Sequence, residues 1–147
     1  MSRLIDEIAA QVAVWDGVTS APHRFGGTEF LLEGREIGHV HGFGLADIVF
    51  SRPLRDQLVA EGQALPHHIY PDSGFISFYV KKEPDVQHAL WLFRLALLRH
   101  WIVLKRKPER HPALPDIDVA GELAQLKPSP ALQAIFDGML QGIATED

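Results

Sequence analysis

Arg35-Glu36-Ile37-Gly38-His39-Val40-His41, followed by Gly42-Phe43-Gly44 and then Leu45-Ala46-Asp47-Ile48-Val49-Phe50, is the stretch on which the reading of this chain turns. Two runs of strand-forming residues are separated by a short glycine-containing break, a connection that favours antiparallel neighbours. Side chains alternate along a strand, so His39 and His41 project from one face of Ile37–His41. Asp47 interrupts an otherwise apolar run, and a carboxylate there is costly to bury unless it is paired or hydrogen-bonded. With Pro66-His67-His68 further on, four of the eight histidines and one carboxylate become candidates for one site. Such a group can grip a metal ion or move protons near neutral pH.

Upstream, Arg3 to Trp15 reads as an amphipathic helix with Leu4, Ile5, Ile8, Val12 and Trp15 on its apolar stripe, Ser2 as its cap and Gly17 as its stop. Thr28–Leu32 reads as a strand, and Glu33-Gly34 as the hairpin turn that leads into Arg35–His41. Downstream, Ser51 caps a helix with Pro53 in its first turn that runs to Gly62. Ser73-Gly74 turns into a strand at Phe75–Val80, where Ile76, Phe78 and Val80 alternate with Ser77 and Tyr79. The longest helix runs from Val86 to about Trp101 and is apolar on more than one face, as a helix lying across a sheet should be. Beyond it, Lys105, Arg106, Lys107 and Arg110 among prolines predict a surface connection, and Pro130 opens a last helix.

Strands and helices cluster rather than alternate strictly. This predicts an α+β class: an antiparallel sheet of about four strands, covered on one face by helices. Residues 1–105 form the predicted domain. Residues 106–147 form a C-terminal extension whose one helix packs on that domain or on a partner subunit, with Trp101 and the apolar helix suited to a homodimer contact.

A chain of 147 residues is long enough for a real core. A net charge of -5 argues against broad nucleic-acid binding. The absence of cysteine excludes disulfides, thiolate metal sites and a cysteine nucleophile. No apolar run approaches the ~20 residues that span a bilayer, and the acidic N-terminus is not a secretory signal, so a cytoplasmic protein without a membrane partner is expected. There is no Gly-x-Ser-x-Gly elbow, P-loop, dinucleotide fingerprint or His-Glu-x-x-His pair.

The predicted catalytic set is His39, His41, Asp47 and His67. His39 or His41 would act as base, Asp47 as its orienter, and Arg35 or His67 as the stabiliser of an enolate charge. Arg35, Glu36, His68 and Tyr79 are the predicted substrate contacts, with Ser77 a pocket-lining candidate of the same parity as Tyr79. Arg24 and Arg35 could each hold an anionic oxygen, although a surface salt bridge is the commoner fate of a single arginine. No cofactor is expected; the alternative is a divalent metal on His39, His41 and Asp47. A non-catalytic ligand-binding or assembly module is the third reading.

The run Arg35–His41, then Asp47, Gly62, His67, the Gly74-Phe75 strand and the long helix from Val86, resembles the luciferase-like domain of fungal luciferases. Ala21-Pro22-His23-Arg24-Phe25-Gly26-Gly27 and Glu29-Phe30 look like the branch of that family found in uncharacterised bacterial proteins. The resemblance covers roughly residues 21 to 101. It implies an antiparallel α+β domain remotely related to the YjbR-like fold. It also implies reaction of a hydroxylated pyranone with molecular oxygen, without a flavin or other organic cofactor. His39, His41, Asp47 and His67 fall on the matching polar positions, and Arg35 and Glu36 on the preceding pair. Against the fungal enzymes, the sequence is expected to be without their N-terminal membrane segment and to add an extension after Trp101.

Overall fold

The computed structural model describes residues 3–23, 26–70 and 73–146, with side chains up to residue 143 in the last helix. The expected cap Ser2, the candidate Arg24 and Phe25 of the resembling segment lie outside the described residues. Helix α1 (Arg3–Ala13) is followed by strands β1 (Val18–Pro22), β2 (Thr28–Leu32), β3 (Arg35–His41) and β4 (Leu45–Val49). Then come α2 (Arg52–Ala60), the short β5 (Leu65–Pro66), β6 (Phe75–Tyr79) and the 23-residue α3 (Glu83–Lys105). Helices α4 (Val119–Leu126) and α5 (Pro130–Glu146) complete the order. The class is α+β as expected, and the sheet has six strands rather than about four. It is antiparallel throughout, in the order β1-β2-β3-β4-β6-β5.

The extra strands are β1 and β5. β1 follows Gly17 and pairs along its whole length with β2, while β5 contributes only Leu65 and Pro66 at the opposite edge. Both are too short or too mixed in pattern to stand out by period, and pairing alone makes them strands. The extension holds two helices where one was expected. Val119 and Leu123 of α4 and Leu132 and Phe136 of α5 join the same apolar cluster as the sheet and α3. The Trp91 and Trp101 indoles donate to the Leu126 and Pro115 carbonyls, which ties the segment between them to α3. Trp101 is therefore buried within its own chain and is not a surface for a partner.

Helix α3 crosses the middle of the sheet, packing on β2, β3 and β4. One core-facing row runs Phe30, Gly38, Ile48, Ile76 across four strands. Gly38 lets the helix approach: a Cβ there would lie 2.8 Å from Phe93 Cε1 and 2.9 Å from the Asp47 carbonyl oxygen. The β2–β3 hairpin turns on Glu33 and Gly34, both at positive φ (51° and 77°), the conformation of a two-residue turn that matches strand twist.

Pairing between β2 and β3 slips at Phe30/Leu31: Phe30 faces Gly38, but Leu31 faces Glu36. Ile37 is the extra residue of a β-bulge and is fully buried. The bulge reverses the alternation upstream of it. Glu36 joins the face of His39, while Arg35 turns toward the helices, where its Nε donates to His100 Nδ1 at 2.7 Å. The expected role of Arg35 as a substrate contact beside His39 is corrected accordingly, since a regular strand would have placed the two together.

His100 on α3 is fixed at both nitrogens, because Nε2 donates to the Val49 carbonyl at 2.9 Å while Nδ1 accepts from Arg35. Burial, reinforced by the neighbouring Arg99 charge, pushes its pKa down to about 3. It is a neutral core histidine. The unfolded chain protonates this imidazole near ~6.5. The folded state therefore keeps the stability linked to it above that pH and loses it as pH falls from ~6.5 towards 3. Urea unfolding of His100→Gln should show a shallower decline across that window than the parent chain; parallel declines would refute the assignment. Gly38→Ala should cost roughly 1–3 kcal/mol by overpacking against Phe93 and the β4 backbone, read from the same transitions.

Candidate functional site

The strand register lays Glu29, His39, Asp47, Ser77 and Leu65 side by side in one row across the sheet. Cross-strand partners share a face, and this row lies on the face turned away from α3. Two loops close over it. One carries His23 after β1, and the other runs from His67 to Tyr70 between β5 and β6.

Asp47 is the centre. It is 1% exposed, yet its carboxylate has a donor on every side. On Oδ1, the Ser77 hydroxyl donates at 2.6 Å, with His68 Nδ1 at 3.5 Å and His67 Nε2 at 3.6 Å. On Oδ2 stand His41 Nε2 at 3.0 Å and His39 Nε2 at 3.3 Å. Burial by itself would raise the Asp47 pKa. The hydrogen bonds from His39 and Ser77 outweigh it and hold the carboxyl well below the usual carboxylate range.

The four imidazoles differ because their second nitrogens differ. His39 Nδ1 lies 2.9 Å from Glu36 Oε2, the contact that the bulge makes possible. Burial pushes His39 towards its neutral form, but donation to Asp47 at one nitrogen and Glu36 at the other prevails and raises its pKa to about 9. A group so held at neutral pH is a cation, not the base that the sequence suggested. His67 is the reverse. Its Nδ1 accepts from the backbone N–H groups of Ile69 and Tyr70 at 3.1 and 3.0 Å. Its one proton must then sit on Nε2, towards Asp47, and burial lowers its pKa.

His68 is fixed by the arithmetic of a hydroxyl. The single hydrogen of Ser77 goes to Asp47, so at 3.3 Å its oxygen can only accept from His68 Nδ1–H. The Nε2 lone pair of His68 stays available, and its side chain is 35% exposed. His41 is oriented by Asp47 through Nε2 and stacks on Phe43, which is 74% exposed.

The structure thus brings together His39, His41, Asp47, His67, His68 and Glu36 from the expected set. It leaves out Arg35, for the reason given above, and Tyr79, which lines a separate cleft of about 460 Å³ with Leu65, Phe78, Lys81 and Lys82. Two further residues belong to the site. His23 stacks on His39 with ring centroids 4.0 Å apart; its only sequence signal was a histidine beside the Gly26-Gly27 break. Ser77, expected only as a pocket-lining residue, donates to Asp47 and fixes the tautomer of His68. The exposed apolar side chains of Phe43, Ile69 and Tyr70 rim the area.

Removal of the central carboxylate strands several buried donors at once. Asp47→Ala should therefore cost roughly 3–5 kcal/mol, measured by urea unfolding, and Asp47→Asn less. A cost below 1 kcal/mol for Asp47→Ala would show that the cluster is not held this way.

No described helix is long and apolar enough to cross a membrane. No curated protein and no solved structure matches the chain. Residues 34–96 match the family model of the Luciferase domain, a stretch that spans β3, β4, α2, β5, β6 and the first half of α3. The resemblance read from Arg35–His41 holds at the level of that match: residues 34–96 are similar to the Luciferase domain.

Proposed function

We propose that the domain is an enzyme that takes a hydroxylated, conjugated small molecule on the open face of the sheet and promotes its reaction with molecular oxygen, without an organic cofactor. His68 takes the substrate's hydroxyl proton at Nε2. The carbon skeleton of the resulting anion then forms a bond to dioxygen, which is reduced to the peroxide level and takes up a proton, so substrate plus oxygen gives a hydroperoxide. The observation that carries this reading is the Asp47–Ser77–His68 chain, which fixes the Nδ1–H tautomer of the most exposed imidazole in the cluster.

The rest of the site supports it. The His39 imidazolium in the floor offers a positive charge to an anion. The rim of Phe43, Ile69 and Tyr70 offers apolar surface to a flat, conjugated body. The luciferase-domain match spans the floor and the His68 loop, and the resemblance to fungal luciferases implies such a substrate and oxygen.

Oxygen uptake with a panel of hydroxypyranones and catechols tests the proposal. His68→Gln should lose roughly 10²–10⁴ of the turnover, while His111→Gln, outside the site, should lose none. Unchanged turnover in His68→Gln would overturn the role of His68. Ligand binding with no consumption of oxygen by the parent chain would reduce the site to a binding pocket.

A further inference from the structure

We infer that the Oδ2 side of Asp47, with His39 Nε2 and His41 Nε2, is a binding site for one divalent transition-metal ion of the imidazole-preferring kind, such as iron(II), cobalt(II) or zinc(II). As the source of positive charge for the oxygen chemistry it rests on the function proposed above; as a binding site it stands on geometry alone.

The two oxygens of Asp47 are unequally engaged. Oδ1 is occupied by the Ser77 hydroxyl and flanked by His67 and His68, whereas Oδ2 faces only the two Nε2 atoms of His39 and His41. The separations are 3.0 and 3.3 Å. Adjacent ligands bonded to one ion at ~2.1 Å stand ~3.0 Å apart in an octahedron and ~3.4 Å apart in a tetrahedron, so both separations suit a shared ion. The ligand atoms of all three residues lie within 4.8 Å of one another.

The outer contacts point the same way. A ligating histidine usually donates its other N–H to a carboxylate, which fixes the ring and aims the ligating nitrogen at the ion. Here the ion displaces the Nε2 proton that His39 otherwise donates to Asp47, and Nδ1–H stays on Glu36. Glu36 stands in that position for His39, at 2.9 Å from Nδ1. On the carboxylate ligand, Ser77 holds the oxygen that does not face the ion. Two imidazoles and one carboxylate leave open coordination positions, the arrangement in which iron(II) meets oxygen and substrate together. A magnesium or calcium site would call for oxygen ligands instead.

Two neighbouring groupings have similar spacing, His23 with Glu36 and His39, and Asp47 with His67 and His68. The second fails on chemistry. His67 accepts two backbone N–H groups at Nδ1, so its Nε2 bears the proton and has no lone pair to give. The first would take Glu36 away from His39, the contact that orients the ring.

The test uses untagged protein stripped with a chelator and titrated with cobalt(II) without oxygen, followed by calorimetry and by the visible d–d bands of the bound ion. The expected result is one ion per chain. His41→Ala should abolish binding, and Glu36→Gln should weaken it about 10- to 100-fold without changing the stoichiometry. His68→Gln should leave affinity unchanged. Glu36→Gln keeps the test readable if His41→Ala fails to fold, because Glu36 is partly exposed and the change is conservative. No stoichiometric uptake, or equal uptake by the parent and a folded His41→Ala, would overturn the site. Full oxygen-dependent turnover by stripped protein would overturn the ion as a participant and leave the role of His68 standing. One bound cobalt(II) with unchanged turnover in His68→Gln would uphold the metal site and sink the functional reading.

Discussion

Everything at this site is arranged around one buried carboxylate. An ionised group taken out of water is tolerated only when its lone pairs are met by donors. Asp47 meets that demand with side chains from three different parts of the chain: His39 and His41 on β3, Ser77 on β6, and His67 and His68 on the loop between β5 and β6. The demand also explains the loop, whose backbone is fastened to His67 Nδ1 by two N–H groups. The polar floor and the loop that covers it are one structure.

The bulge at Ile37 does the sorting. It sends Ile37 into the core, Arg35 to the helix side and Glu36 to the open side, although regular alternation would have paired Arg35 with the histidines. A positive guanidinium beside His39 would have opposed its protonation; a carboxylate favours it. One inserted residue therefore decides the charge of the floor, in keeping with the tendency of bulges to re-aim side chains near functional sites.

His39 and His100 show how little residue type says about chemistry. Both are buried, but His100 meets a carbonyl at one nitrogen and an arginine at the other, and it remains neutral far into acid. His39 meets a carboxylate at each nitrogen and keeps its proton into alkaline solution. The luciferase-domain match, over residues 34–96, includes His39 and ends before His100, so only their places in the fold set the two apart.

From the sequence alone came the class of fold, four of the strands, the β2–β3 hairpin turn at Glu33-Gly34, α2 with its Ser51 cap, the long helix, and a polar row of His39, His41 and Asp47 on one sheet face. These are local matters of period, turn chemistry and capping, and short-range physics settles them. The strands β1 and β5, the helix α4, the exile of Arg35, the recruitment of His23 and the protonation of each imidazole were decided only by the tertiary structure. Each depends on which atoms from distant segments share a hydrogen bond or a register, and no pattern along the chain carries that information. The histidines could be counted in the sequence, but the second partner of each ring nitrogen exists only once the chain has folded.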